Sequence, residues 1–157
     1  MGHHMKAAIL TLLAGATLLA CPVLALADES IPDMKGDWVG KSYTIIAGSG
    51  SHWPTSAGTF EKPGLLEKDL VIRVTQQADR RFWGVTILSG NGEKTEEPFI
   101  GELTGKDHRF AVFVDTDGYW SGEINGDEFS FCYTQAGAVH EGKTSSVISC
   151  TEVRHQH

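Results

Sequence analysis

A chain of 157 residues, 41% hydrophobic, has room for one domain with one core. Its 20 acidic residues outnumber 13 basic ones for a formal charge of −7, and no basic cluster interrupts the acidity. That balance argues against nucleic acid or an anionic membrane surface as a partner, and the 18 glycines suit many strands joined by tight turns.

The amino end reads as a secretory leader. Lys6 is followed by an apolar run from Ala7 to Ala20, Pro22 breaks it, and Ala25-Leu26-Ala27 offers an A-x-A exit that predicts cleavage before Asp28. The uninterrupted run is shorter than the roughly 20 residues a membrane-spanning helix needs. A rival pattern, Leu18-Leu19-Ala20-Cys21, is similar to a bacterial lipobox and would anchor the chain to a membrane through a lipidated Cys21. Residues 1–27 are therefore expected to be a leader and 28–157 one exported β-barrel domain, periplasmic or secreted. Once Cys21 is removed or lipidated, Cys132 and Cys150 remain, and an oxidising compartment makes them a disulfide.

Beyond residue 30 alternation replaces helical periodicity. The expected strands are 37–46, 70–75, 81–88, 97–103, 108–115, 119–124, 127–135 and 145–154, with Pro98 at the start of the fourth. Asn91-Gly92, Asp117-Gly118 and Asn125-Gly126 supply the positive φ angles of tight hairpins. Gly101-Glu102-Leu103-Thr104-Gly105-Lys106-Asp107 is echoed by Gly122-Glu123-Ile124-Asn125-Gly126-Asp127-Glu128, which reads as successive hairpins. A meander of this length closes as an all-β, eight-stranded antiparallel up-and-down barrel with one disulfide; the alternative is a two-sheet sandwich.

Gly36-Asp37-Trp38 at the start of the first strand resembles the G-x-W motif of calycin barrels, the lipocalin and avidin group. The resemblance implies that Trp38 and Arg154 are structural, with Arg154 packing over the tryptophan at the closed end. No biotin-contacting pattern is present.

A simple meander sends its connections to two ends. The closed end takes Trp38 and the turns near Asp79, Gly105 and Asn125. The mouth takes a long Gly/Ser/Pro-rich connection (47–68), the 90–92 and 115–118 turns and a 136–144 loop. A long connection over a barrel mouth is a natural lid. Within it, Trp53 beside His52 either contacts a ligand or plugs the barrel. Together with His140, with Ser42 and Thr44 on the first strand, and with Trp120 on the sixth, these form the candidate ligand-contacting set.

Phe82, Trp83, Phe110, Phe113, Trp120, Phe129, Phe131 and Tyr133 are all expected to point inward. On the last two strands the odd positions are the more apolar, which puts the disulfide outside but conflicts with an inward Arg154. No metal set is assigned, since His52 and His140 lack a third ligand and His155 and His157 read as a frayed tail. Asp115-Thr116-Asp117-Gly118 resembles the opening of a calcium loop but lacks the later ligands, so it reads as a turn. No cofactor and no catalytic residues are specified. The readings rank as a binding protein for a small molecule, then an interaction or inhibitor module meeting an envelope or extracellular protein, then a cyclase or isomerase. Apolar groups on both strand faces leave room for an oligomer.

Overall fold

From Gly36 onward the period-two alternation resolves into eight strands: β1 (Gly36–Gly48), β2 (Gly64–Ala78), β3 (Arg81–Gly90), β4 (Glu93–Thr104), β5 (Phe110–Val114), β6 (Tyr119–Asn125), β7 (Glu128–His140) and β8 (Lys143–Gln156). The structure is a computed structural model that describes residues 30–48, 58–140 and 143–157, with the side chains at 138–140 and 143 left out. Each strand pairs antiparallel with the next, and β8 returns to β1, closing an up-and-down barrel with no helix among the described residues. Residues 1–27, the expected leader, lie outside the described residues, as do His52, Trp53 and the His140 side chain.

Two of the three expected turns use positive φ, while Asp117-Gly118 does not. Asn91 and Gly92 sit at +55° and +80° between β3 and β4, and Gly126 at +61° between β6 and β7. The disulfide joins Cys132 to Cys150, opposite each other on β7 and β8 with Cα atoms 4.0 Å apart. It lies outside the barrel, because Phe131, Tyr133, Ser149 and Val153 take the inward positions. A disulfide points to a non-cytoplasmic environment.

The core is a ring cluster. Phe113 stacks on Trp120 with centroids 5.2 Å apart and planes 8° apart, and meets Phe99 at 5.0 Å and Phe82 and Phe129 at 6.0 Å. The repeat seen in the sequence makes room for it: Gly101 and Gly122 face inward, where an added Cβ would lie 2.6 Å from the Phe82 ring and 2.4 Å from the Phe131 Cα. Outward positions carry salt bridges such as Lys41–Glu67 at 2.8 Å and Arg73–Asp37 at 2.8 Å. The outer face mixes these charged pairs with exposed apolar side chains such as Tyr43, Leu65 and Ile100.

The closed end is capped by the segment before β1. Met34 is 1% exposed; its carbonyl accepts from Trp38 Nε1 at 2.9 Å and its amide donates to Gln77 Oε1 at 2.7 Å. Gln77 Nε2 also donates to the Pro32 carbonyl at 2.8 Å, so one side chain straps the segment across the barrel end.

Several expectations change. Arg154 does not cover Trp38: it points outward and pairs with Glu128 at 2.6 Å, and the neighbouring inward residue His155 stacks on Trp38 at 4.6 Å and 16°. The strand parity that sends Val153 inward decides this without a bulge at that point. β8 also continues to Gln156, so His155 is in a strand rather than a frayed tail. Trp83 and Phe110 point outward, because Phe82 and Ala111 hold the inward positions beside them. The long connection is shorter than 47–68, since the β1–β2 ladder runs to Ile46↔Gly64. Residues 136–140 and 143–144 extend β7 and β8 past a register shift between Gln135 and Ala138. Pro98 lies inside β4, beyond the end of the β4–β5 ladder at Ile100↔Val114, where a missing amide donor is tolerated.

Candidate binding site

The inward positions divide along the barrel. Toward the closed end they are Trp38, Ile72, Val74, Phe82, Leu103, Ala111, Ile124, Phe129 and Val153, all buried. Toward the mouth the buried apolar Ile46 and Val147 are joined by Ser42, Thr44, Lys68, Thr86, Gln135, Ser145 and Ser149, also buried. Burying polar groups costs free energy unless they are hydrogen-bonded, so the bonds at this end decide what it can do.

Three hydroxyls form a chain across the β8–β1 seam: Ser42 Oγ lies 2.9 Å from both Thr44 Oγ1 and Ser149 Oγ. Two mutual bonds use two of their three O–H donors, leaving one donor and several lone pairs for another molecule. Beside them Tyr133 donates to Gln135 Oε1 at 3.1 Å, and Gln135 Nε2 donates to Ser145 Oγ at 3.1 Å. Burial pushes the Tyr133 hydroxyl's pKa well above the ordinary phenol range, helped by the negative charges of Asp115, Glu97 and Asp117, so it stays a protonated donor.

Asp115 is occupied structurally. One oxygen accepts from the amides of Asp117 and Gly118 at 3.0 and 2.7 Å, and the other from Trp120 Nε1 at 3.0 Å. The 115–118 segment is thus an Asx-type turn that anchors the indole. Thr116 Oγ1 bonds to Glu97 on the neighbouring strand. A cavity of about 30 Å³ remains, lined by Thr44, Thr86, Glu97, Trp120, Tyr133 and Ser149 among others. That volume is on the scale of one water molecule. The interior is therefore packed below and polar above, and anything larger than water would rest on this floor in the mouth.

Ser42, Thr44 and Trp120 of the expected contact set meet at this floor. Sequence reasoning missed Lys68, Thr86, Glu97, Gln135, Ser145 and Ser149, although parity marks them. Lys68 alternates in phase with Leu66, Leu70, Ile72 and Val74, and Glu97 with Phe99 and Leu103. Among the described residues the imidazoles, His108, His155 and His157, lie at the opposite end, so no described imidazole stands beside the serine hydroxyls. No protein-family model matches the chain, and no curated protein matches it.

Proposed function

We propose that this chain is an exported binding protein, periplasmic or secreted, that holds a small polar ligand in the barrel mouth. The observation that carries the reading is the set of buried hydrogen-bonding side chains gathered at the mouth above a packed aromatic core. A barrel that needed only stability would gain more from apolar groups at Thr44, Thr86 and Ser149. The packed lower half leaves no room for a large apolar ligand, so the ligand chemistry is hydroxyl, amide or similar, matched to rotatable donors and acceptors. The closed meander is compatible with the calycin resemblance of Gly36-Asp37-Trp38, which supports the architecture alone.

A thermal-shift and native mass spectrometry screen of small polar metabolites tests this. At least one compound should raise the melting temperature of the wild type and lose that effect in Thr44→Val and Ser149→Ala. Trp53→Ala tests whether the β1–β2 connection contributes. A screen without response in the wild type would sink the reading. Mass spectrometry of the mature protein separates a free chain beginning at Asp28 from one lipidated at Cys21.

A second reading, an interaction module, draws on the outer surface. Trp83, Ile100, Val114 and Tyr119 are paired side by side across β3 to β6, and all four are exposed. An apolar row of this kind is commonly covered by another molecule. Sedimentation of wild type against Ile100→Glu distinguishes self-association through this row, and a pull-down from envelope and secreted proteins tests a foreign partner.

A further inference from the structure

The closed end carries a second cluster. Asp127, His155 and His157 offer one carboxylate and two imidazole atoms that all lie within 4.8 Å of one another. Their meeting follows from the fold. His155 lies near the end of β8 and His157 just past it, with their ring centroids 4.7 Å apart. Asp127 follows Gly126 in the β6–β7 turn, and its carbonyl accepts from the His155 amide at 2.9 Å, which ties the turn to β8.

The His155 ring is held on two sides. It stacks on Trp38, and its Nε2 lies 2.8 Å from the Lys35 carbonyl oxygen. A carbonyl can only accept, so in the neutral ring Nε2 carries the proton and Nδ1 keeps a lone pair. An imidazole that gives one N–H to a backbone carbonyl and offers its other nitrogen is the arrangement of metal-binding histidines. His157 completes the group, with Nε2 3.0 Å from Asp127 Oδ1 and its ring centroid 4.7 Å from that of His155.

We propose that Asp127, His155 and His157 bind a divalent transition cation of the zinc class, with a fourth position left to water. Two imidazoles and one carboxylate suit zinc, copper or nickel, whereas magnesium and calcium call for mostly oxygen ligands. In a tetrahedral site with bonds of 2.0–2.1 Å the ligand atoms stand about 3.4 Å apart. The clamped residue is His155; the other two side chains, 64% exposed for Asp127 and 69% for His157, can rotate to close the gap. An ordinary surface Asp–His ion pair has no need of a second, tautomer-fixed imidazole beside it. The site is at the end opposite the mouth and stands whether or not the mouth takes a ligand.

Zinc chloride titrated calorimetrically into the full chain is expected to fill a site that His157→Ala and Asp127→Asn each weaken at least ~10-fold. Cobalt(II) should give the strong visible absorption of a four-coordinate site in the wild type and lose it in both variants. The remaining histidines, including His3 and His4, are common to all three proteins and cancel in the comparison. Both variants spare His155 and its stack on Trp38, so equal melting temperatures in a chelator show that the fold is intact. Weakening in both variants with unchanged melting supports the site. Wild-type zinc affinity in either variant, or a wild type that binds no zinc, overturns it.

Discussion

The two ends of the barrel are built from the same strands and the same alternation, yet their inward residues do opposite work. Below the mouth, rings pack around Phe113, and at the closed end the Met34 segment is strapped across Trp38. At the mouth, hydroxyls and amides satisfy one another around a cavity of about 30 Å³. Apolar burial supplies most of the favourable free energy of folding, whereas a satisfied buried hydrogen bond adds only about 1 kcal/mol net. Stability is thus concentrated in one half, and the other half can present hydrogen-bonding groups to a ligand.

The contrast can be broken most severely at its apolar pole. Phe113→Ala should cost about 3–5 kcal/mol in chemical denaturation, since it leaves a void among at least five rings. Replacing both Cys132 and Cys150 with alanine touches neither end and should cost about 2–4 kcal/mol, read as a lower denaturation midpoint. The triple change Ser42→Ala, Thr44→Val and Ser149→Ala removes the whole hydroxyl chain without orphaning a partner. Stability should then move by no more than about 1 kcal/mol, while any ligand-induced thermal shift disappears. A loss as large as that of Phe113→Ala would erase the distinction between the two halves.

The finest test is alkaline. The pKa of Tyr133 is raised in the folded state, from a reference of 10.0, so the unfolded chain releases that proton first. The folded state then binds more protons, and stability falls as pH rises above about 10. Denaturation midpoints measured on either side of that pH should fall less steeply in Tyr133→Phe than in the wild type.

Much of this architecture was legible from short-range chemistry. Asn91-Gly92 and Asn125-Gly126 marked hairpins because their backbone angles suit few other residues, and alternation located all eight strands. Strand lengths were less legible: Gly64–Asp69 carries two charged residues besides Lys68 and reads as loop until β1 is there to pair with it. Arg154 and His155 were exchanged because a motif-level resemblance was set against parity, and parity is the stronger constraint. Met34 could not be found, since a single buried residue ahead of a strand has no periodic signature. At the mouth, Lys68 and Glu97 looked like solvent-facing charge; their phase with neighbouring apolar residues was the signal.

The seam between β1 and β8 has a consequence for how the chain can be rearranged. Asp37 pairs with Gln156, so the two extremities of the barrel sequence run side by side at the closed end. That pairing spans nearly the whole sequence and forms only when the most distant segments meet, which makes for slow folding. A circular permutant joining these extremities by a short flexible linker and opening at Asn91-Gly92 would turn the seam into a local hairpin. The cut makes the β3–β4 ladder the new seam between the extremities, so the permutant should keep the same barrel and fold at a rate close to that of the native order.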